Sequence, residues 1–95
     1  MKGKSVILAG GSGGLGAAVA EALAERGAIP VIGCKGNRER AITLAQSLLD
    51  RYGVVARVVV GDILEPSVRQ ELIQSGRIAG PLYGLVSLIG QPARI

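Results

Sequence analysis

The sequence contains no histidine, tryptophan or phenylalanine, and only two tyrosines, one methionine and one cysteine in 95 residues. Each scarcity closes a class of function. One cysteine, Cys34, can form neither an internal disulfide nor a cysteine-based metal cluster, which fits a reducing compartment, and the cytoplasm is the expected location. The formal charge of +4 would favour polyanions, but the eleven basic residues are scattered and the aromatic content is 2%. Without a basic stripe or aromatic stacking groups, no nucleic-acid partner is expected. Met1-Lys2-Gly3-Lys4 precedes an apolar run of only five residues, Val6 to Gly10. That is too short for a signal-peptide core or a membrane span, so no membrane partner is expected either.

What the chain has instead is glycine, fifteen in all, in a background that is 48% apolar. Such a composition supports a folded domain, and the length allows one small domain, residues 1–95. Ser5-Val6-Ile7-Leu8-Ala9 is a continuous apolar stretch bounded by glycine, the pattern of a parallel strand buried on both faces. From Leu15 onward, Leu15, Val19, Ala22 and Leu23 recur at helical spacing and predict a helix ending at Gly27. A second strand is expected at Ile29 to Gly33, followed by a helix capped by Asn37 with Ala41, Leu44, Ala45 and Leu48 on its buried stripe. Val54 to Val60 is rich in β-branched residues and predicts a third strand, closed by Gly61-Asp62. Pro66 suits the first turn of a third helix, with Val68, Leu72 and Ile73 on its apolar side before Gly76. After the Gly80-Pro81 turn, a fourth strand is centred on Leu85 to Leu88. The alternation βαβαβαβ implies an α/β fold with a parallel sheet, helices on its faces and right-handed crossovers.

Between the first strand and the first helix lies Ala9-Gly10-Gly11-Ser12-Gly13-Gly14-Leu15-Gly16. A helix N-terminus presents unpaired N–H groups and a partial positive charge, and glycine lets a pyrophosphate approach the backbone there. Glycine also permits positive φ in the tight turn and close packing of helix on sheet. The cluster satisfies G-x-G-x-x-G with Gly11, Gly13 and Gly16, G-x-x-x-G-x-G with Gly10, Gly14 and Gly16, and G-x-x-G-x-x-G with Gly10, Gly13 and Gly16. The spacing therefore selects no subfamily, but the strand–turn–helix context is the one a dinucleotide site requires.

Roughly twenty residues beyond such glycines, NAD sites carry an acid that binds the ribose hydroxyls. Here that place holds Cys34, followed by Lys35-Gly36-Asn37-Arg38. Two cations and an amide stand where a 2′-phosphate would lie, and the carboxylate that would repel it is missing, so the expected cofactor is NADP(H). A solvated helix start is the plainer account of Lys35, Arg38 and Arg40. Cys34 is expected to be a small buried filler.

In these motifs the chain resembles the short-chain dehydrogenase/reductase family, from about Lys4 to Gly90. The glycine cluster is similar to the family's TGxxxGxG loop, with Ala9 in place of threonine, and Cys34-Lys35-Gly36-Asn37 is similar to the NADP-selecting stretch of ketoreductase-type members. Asp62-Ile63 resembles the family's acidic–hydrophobic pair after the third strand. The resemblance implies a Rossmann-type sheet of order 3-2-1-4, with Asp62 bonding the adenine amino group and Ile63 flanking the ring. A turn cap at the strand end is the alternative role for Asp62. It also implies cofactor contacts from Gly10, Ser12, Gly13, Gly14, Leu15, Gly16, Lys35, Asn37 and Arg38, and from Ser87 and Gly90 at the end of the fourth strand. There Ser87-Leu88-Ile89-Gly90 occupies the place of the family's NNAG motif, and only the glycine matches.

The family's chemistry depends on a serine and a Tyr-x-x-x-Lys pair, the tyrosine donating a proton while the lysine lowers its pKa. Tyr52 is followed four residues later by Ala56 and Tyr83 by Ser87, and no lysine follows Lys35. The chain is thus expected to be the cofactor-binding portion of a carbonyl/alcohol oxidoreductase, truncated after the fourth strand and inactive by itself. One half of a split protein and a non-catalytic dinucleotide-binding module are the alternatives. A bare fourth strand would pair with a missing C-terminal half or in a homo-oligomer. The substrate, a small carbonyl or alcohol compound, is not legible further.

Overall fold

The computed structural model describes residues 2–10 and 14–87. Gly11, Ser12 and Gly13, and the chain from Leu88 onward with Gly90, lie outside the described residues. The elements run β1 (Ser5–Ala9), α1 (Gly14–Glu25), β2 (Ile29–Cys34), α2 (Arg38–Tyr52), β3 (Arg57–Val60), α3 (Pro66–Ala79) and β4 (Leu82–Ser87). All pairings are parallel and the sheet order is β3-β2-β1-β4, the expected 3-2-1-4.

Side chains on a strand alternate between faces, and β1 divides the core accordingly. Val6 and Leu8 point into a layer with Ile32, Ala20 and Ala24 of α1, and Leu44 and Leu48 of α2. Ile7 points the other way, with Val31 and Val59, against Val68 and Leu72 of α3. Every residue of β1 is buried, as its unbroken apolar run predicts for a strand covered on both sides.

Five expectations are corrected. On α1 the buried residues are Gly16, Ala20 and Ala24, while Leu15 is 69% exposed and Ala22 is also exposed. Val19 and Leu23 pack against the core as expected, and the small residues Gly16, Ala20 and Ala24 let the helix lie close to the sheet. Asn37 stands at the N-cap position of α2, but its side chain makes no capping hydrogen bond, and only its carbonyl accepts, from Ala41 N–H at 3.1 Å.

The third strand is shorter than Val54 to Val60. Pairing with β2 begins at Val31 opposite Arg57. Ile29 N–H donates toward β1, to the Lys4 carbonyl, so the backbone of the next residue, Pro30, faces the β3 side. Proline has no N–H to offer there, which removes the rung that would have extended β3 backward. Val54 is buried against the α2 layer, and Val55 is 66% exposed.

The third helix does not stop at Gly76 but continues to Ala79. A Cβ on Gly76 would lie 3.2 Å from a Leu82 methyl and 3.3 Å from Ser5 Oγ, so this glycine is a point of close helix-to-strand approach. Ile73, expected on the apolar side of that helix, is 39% exposed. Among the described residues β4 is an outer strand, with Leu82, Tyr83 and Leu85 exposed at 41%, 58% and 65%.

Candidate functional site

Because the four strands are parallel, their carboxyl ends share one edge of the sheet. The register sets Ala9 opposite both Gly33 and Ser87, and Cys34 opposite Val60. The chain segments leaving β1, β2 and β3 therefore emerge side by side, at the place where strand order reverses between β1 and β4. In open α/β sheets this reversal opens the crevice in which ligands bind.

Leaving β1, Gly10 has φ +79° and donates its N–H to the Gly33 carbonyl at 2.8 Å. An L side chain is strained at that φ, so the turn toward α1 is made with glycine. The helix then starts at Gly14, where an added Cβ would meet nothing within 4 Å. The first turn of the helix contains no acidic residue to offset its partial positive charge. Leu15 is exposed in that turn and Gly16 is buried against the core.

Leaving β2, Lys35 follows the buried Cys34, and its side chain is 79% exposed. Asn37 and Arg38 are exposed at the start of α2. Burial pushes the Cys34 thiol above its ordinary range, with the nearby Arg38 charge pulling the other way. The thiol is therefore protonated at neutral pH and serves as packing, as expected.

Leaving β3, Gly61 adopts φ +156° and donates its N–H to the Cys34 carbonyl at 2.8 Å, tying the ends of β2 and β3 together. Asp62 comes next. Its Oδ1 accepts the Leu64 N–H at 2.9 Å and its carbonyl accepts the Glu65 N–H at 2.9 Å, so it does hold the turn into α3. Its Oδ2 stands 3.5 Å from Lys35 Nζ. The Leu64 N–H bond holds the carboxyl below its usual range; desolvation opposes it, and the Lys35 charge adds a smaller lowering effect. Ile63 is partly buried against the Ile7–Val31–Val59 cluster. Ser87 closes β4, exposed beside Ala9.

The fold thus brings Gly10, Gly14, Leu15, Lys35, Asp62, Ile63 and Ser87 to one edge, with Asn37 and Arg38 beside Lys35 at the start of α2. Three features of the site were not read from the sequence. The Lys35–Asp62 pair joins residues 27 positions apart in sequence and has no local signature. Gly61 and Gly33 are the other two. A Cβ on Gly33 would lie 3.1 Å from a Leu72 methyl, and one on Gly61 would lie 2.6 Å from a Val68 methyl. A glycine inside or ending a strand pattern is the signal that would have found them. Among the described residues no group of His, Cys, Asp and Glu is placed to hold a metal ion, and no helix is long and apolar enough to cross a membrane.

A parallel α/β sheet with a glycine turn at its switch point defines the dinucleotide-binding class of fold. Within that class the chain belongs to the short chain dehydrogenase family, whose sequence profile matches residues 4–91. It is 36% identical over 88 residues to a phenolphthiocerol/phthiocerol polyketide synthase polypeptide of Mycobacterium tuberculosis and, equally, to one of Mycobacterium bovis. The match covers 90% of this chain and 5% of each of those proteins. Among solved structures, the L-sorbose reductase of Gluconobacter frateurii, complexed with NADPH and L-sorbose, superposes with a TM-score of 0.85 at 30% identity. That likeness covers 98% of this chain and 35% of the reductase. The NADPH-dependent 3-quinuclidinone reductase of Rhodotorula rubra follows with a TM-score of 0.78 at 28% identity, over 90% of this chain and 32% of that one.

Proposed function

We propose that these residues form a single, partial dinucleotide-binding domain, the NADP(H)-binding portion of a short-chain oxidoreductase that interconverts a carbonyl and an alcohol. The observation that carries the reading is the common edge on which the N-terminus of α1, the exposed Lys35 ammonium and Asp62 are set side by side. Pyrophosphate would lie against Gly10, Ser12, Gly13, Gly14, Leu15 and Gly16, where backbone N–H groups and the helix dipole favour an anion. Lys35, with Asn37 and Arg38, would take the 2′-phosphate. Asp62 and Ile63 would meet the adenine, and Ser87 and Gly90 the nicotinamide-ribose end. When bound, the cofactor supplies the hydride.

The role of this chain is to bind and orient. Neither Tyr52 nor Tyr83 has a lysine four residues on, so the proton donor belongs to other residues of the active protein. The crystal complexes of similar reductases with NADPH support the choice of cofactor, and a single free cysteine, Cys34, accords with a reducing, cytoplasmic setting. The exposed apolar residues of β4 are of the kind that pair with a further strand or with a second copy of the chain.

Fluorescence titration of the purified protein with NADPH and NADH tests the proposal. Saturable binding with NADPH preferred is the expected result, and Lys35→Asp should shift the preference toward NADH. Absence of binding to either nucleotide would overturn the reading.

A further inference from the structure

Lys35 is not free at this edge. Its Nζ stands 3.5 Å from Asp62 Oδ2, and that carboxylate is tied into the turn after β3. Leu64 N–H holds its other oxygen, Glu65 N–H holds the residue's carbonyl, and Gly61 N–H ties the preceding residue to the end of β2. We infer that Asp62 sets how strongly this site prefers a 2′-phosphorylated dinucleotide over its unphosphorylated counterpart, by holding the ammonium of Lys35. The inference rests on the NADP(H) reading above.

The physical case is one of competition for a cation. A phosphate group that reaches for Lys35 meets an ammonium already partly neutralised by Asp62, and it must either share that ammonium or draw it away. The contest is confined to the 2′-phosphate. The adenine, the pyrophosphate and the nicotinamide are common to both nucleotides, so any bond from Asp62 to the adenine cancels when the two affinities are compared as a ratio.

Asp62→Asn isolates this effect. Asparagine keeps an Oδ1 that accepts the Leu64 N–H and suits the same turn, but it carries no charge. Without its partner, Lys35 becomes fully available to phosphate. Exposed ion pairs of this kind are weak, so the NADPH-to-NADH affinity ratio should rise about two- to fivefold. The gain should shrink in concentrated salt, because the charges are exposed.

The experiment measures dissociation constants for NADPH and NADH on the purified protein, on Asp62→Asn, on Lys35→Met and on the double variant. Asp62→Ser serves as a second uncharged replacement whose hydroxyl accepts the same N–H. The expected outcome is a higher ratio in Asp62→Asn and Asp62→Ser, a lower ratio in Lys35→Met, and a smaller effect of Asp62→Asn once Lys35 is gone. An unchanged or lowered ratio in both Asp62 variants overturns the inference. So does an equal rise with and without Lys35, which would mean that Asp62 acts on the phosphate directly. If the unsubstituted protein binds both nucleotides without preference, the inference falls and the dinucleotide reading stands. If it binds neither, both fall.

Discussion

Gly61→Ala is expected to destabilise the protein through two separable effects, and the structure says how to separate them. Gly61 has φ +156°, a conformation that L residues rarely adopt, and forcing one there costs about 1–3 kcal/mol. In addition, the new methyl would stand 2.6 Å from Val68 Cγ2 and 3.2 Å from Cγ1. Valine on a helix has one strongly preferred χ1, so its methyls cannot swing aside, and overpacking of this kind costs about 1–3 kcal/mol. The combined loss is about 2–6 kcal/mol, a large part of the about 5–15 kcal/mol typical of a whole domain.

Val68→Ala removes both offending methyls and leaves only Cβ, 3.5 Å from the new atom and in ordinary contact. By itself that truncation should cost about 1–2 kcal/mol. In the double variant the alanine at 61 occupies part of the space vacated at 68, and the two losses should sum to about 1–3 kcal/mol more than the pair costs together. Urea unfolding followed by circular dichroism, with all four proteins sharing one m-value, measures the coupling. Additive losses, or a cost below about 1 kcal/mol for Gly61→Ala, would refute the account of this turn. The functional consequence is direct, because the Gly61 N–H bond to Cys34 is what sets Asp62 beside Lys35.

Leu48 is fully buried between α2 and the sheet, so Leu48→Ala should cost about 2–5 kcal/mol by the same unfolding measurement. Leu15 is exposed, and Leu15→Ala should change stability by no more than about 0.5 kcal/mol. Native Cys34 should resist thiol reagents at neutral pH and react on unfolding; because its folded thiol titrates above the ordinary 9.0, its contribution is present below that value and lost as pH rises beyond it, so Cys34→Ala should flatten the alkaline arm of the stability curve. Asp62 has the opposite sign. Its folded pKa lies below the ordinary 3.8, so its contribution is present above that pH and lost as pH falls through the folded value, and Asp62→Asn should flatten the acid arm in a pH series of melting temperatures.

Local chemistry made much of the fold legible. The five-residue apolar run of β1, the β-branched end of β3, Pro66 at the start of α3 and the glycines between elements each follow from the conformational preferences of a few adjacent residues, and together they imply the parallel α/β order. The misreadings arose where a local preference yields to a distant partner. Val54 to Ala56 favour extended chain, yet they form no strand, because Pro30 offers β3 no hydrogen bond there. Gly76 looks like a helix stop, yet α3 runs on to Ala79, and the glycine serves instead for close packing against Ser5 and Leu82.

The same division applies to the site. By itself the sequence determined that a glycine turn would join a buried strand to a helix, that no acid would follow β2, and that a cation would stand in its place, since all of these are matters of residue type and spacing. Only the tertiary structure decided that Lys35 would meet Asp62, and that Gly33 and Gly61 would lie under Leu72 and Val68. Those contacts depend on parallel strand register and on how closely α3 lies over the sheet, and both are settled by packing between elements far apart in the chain.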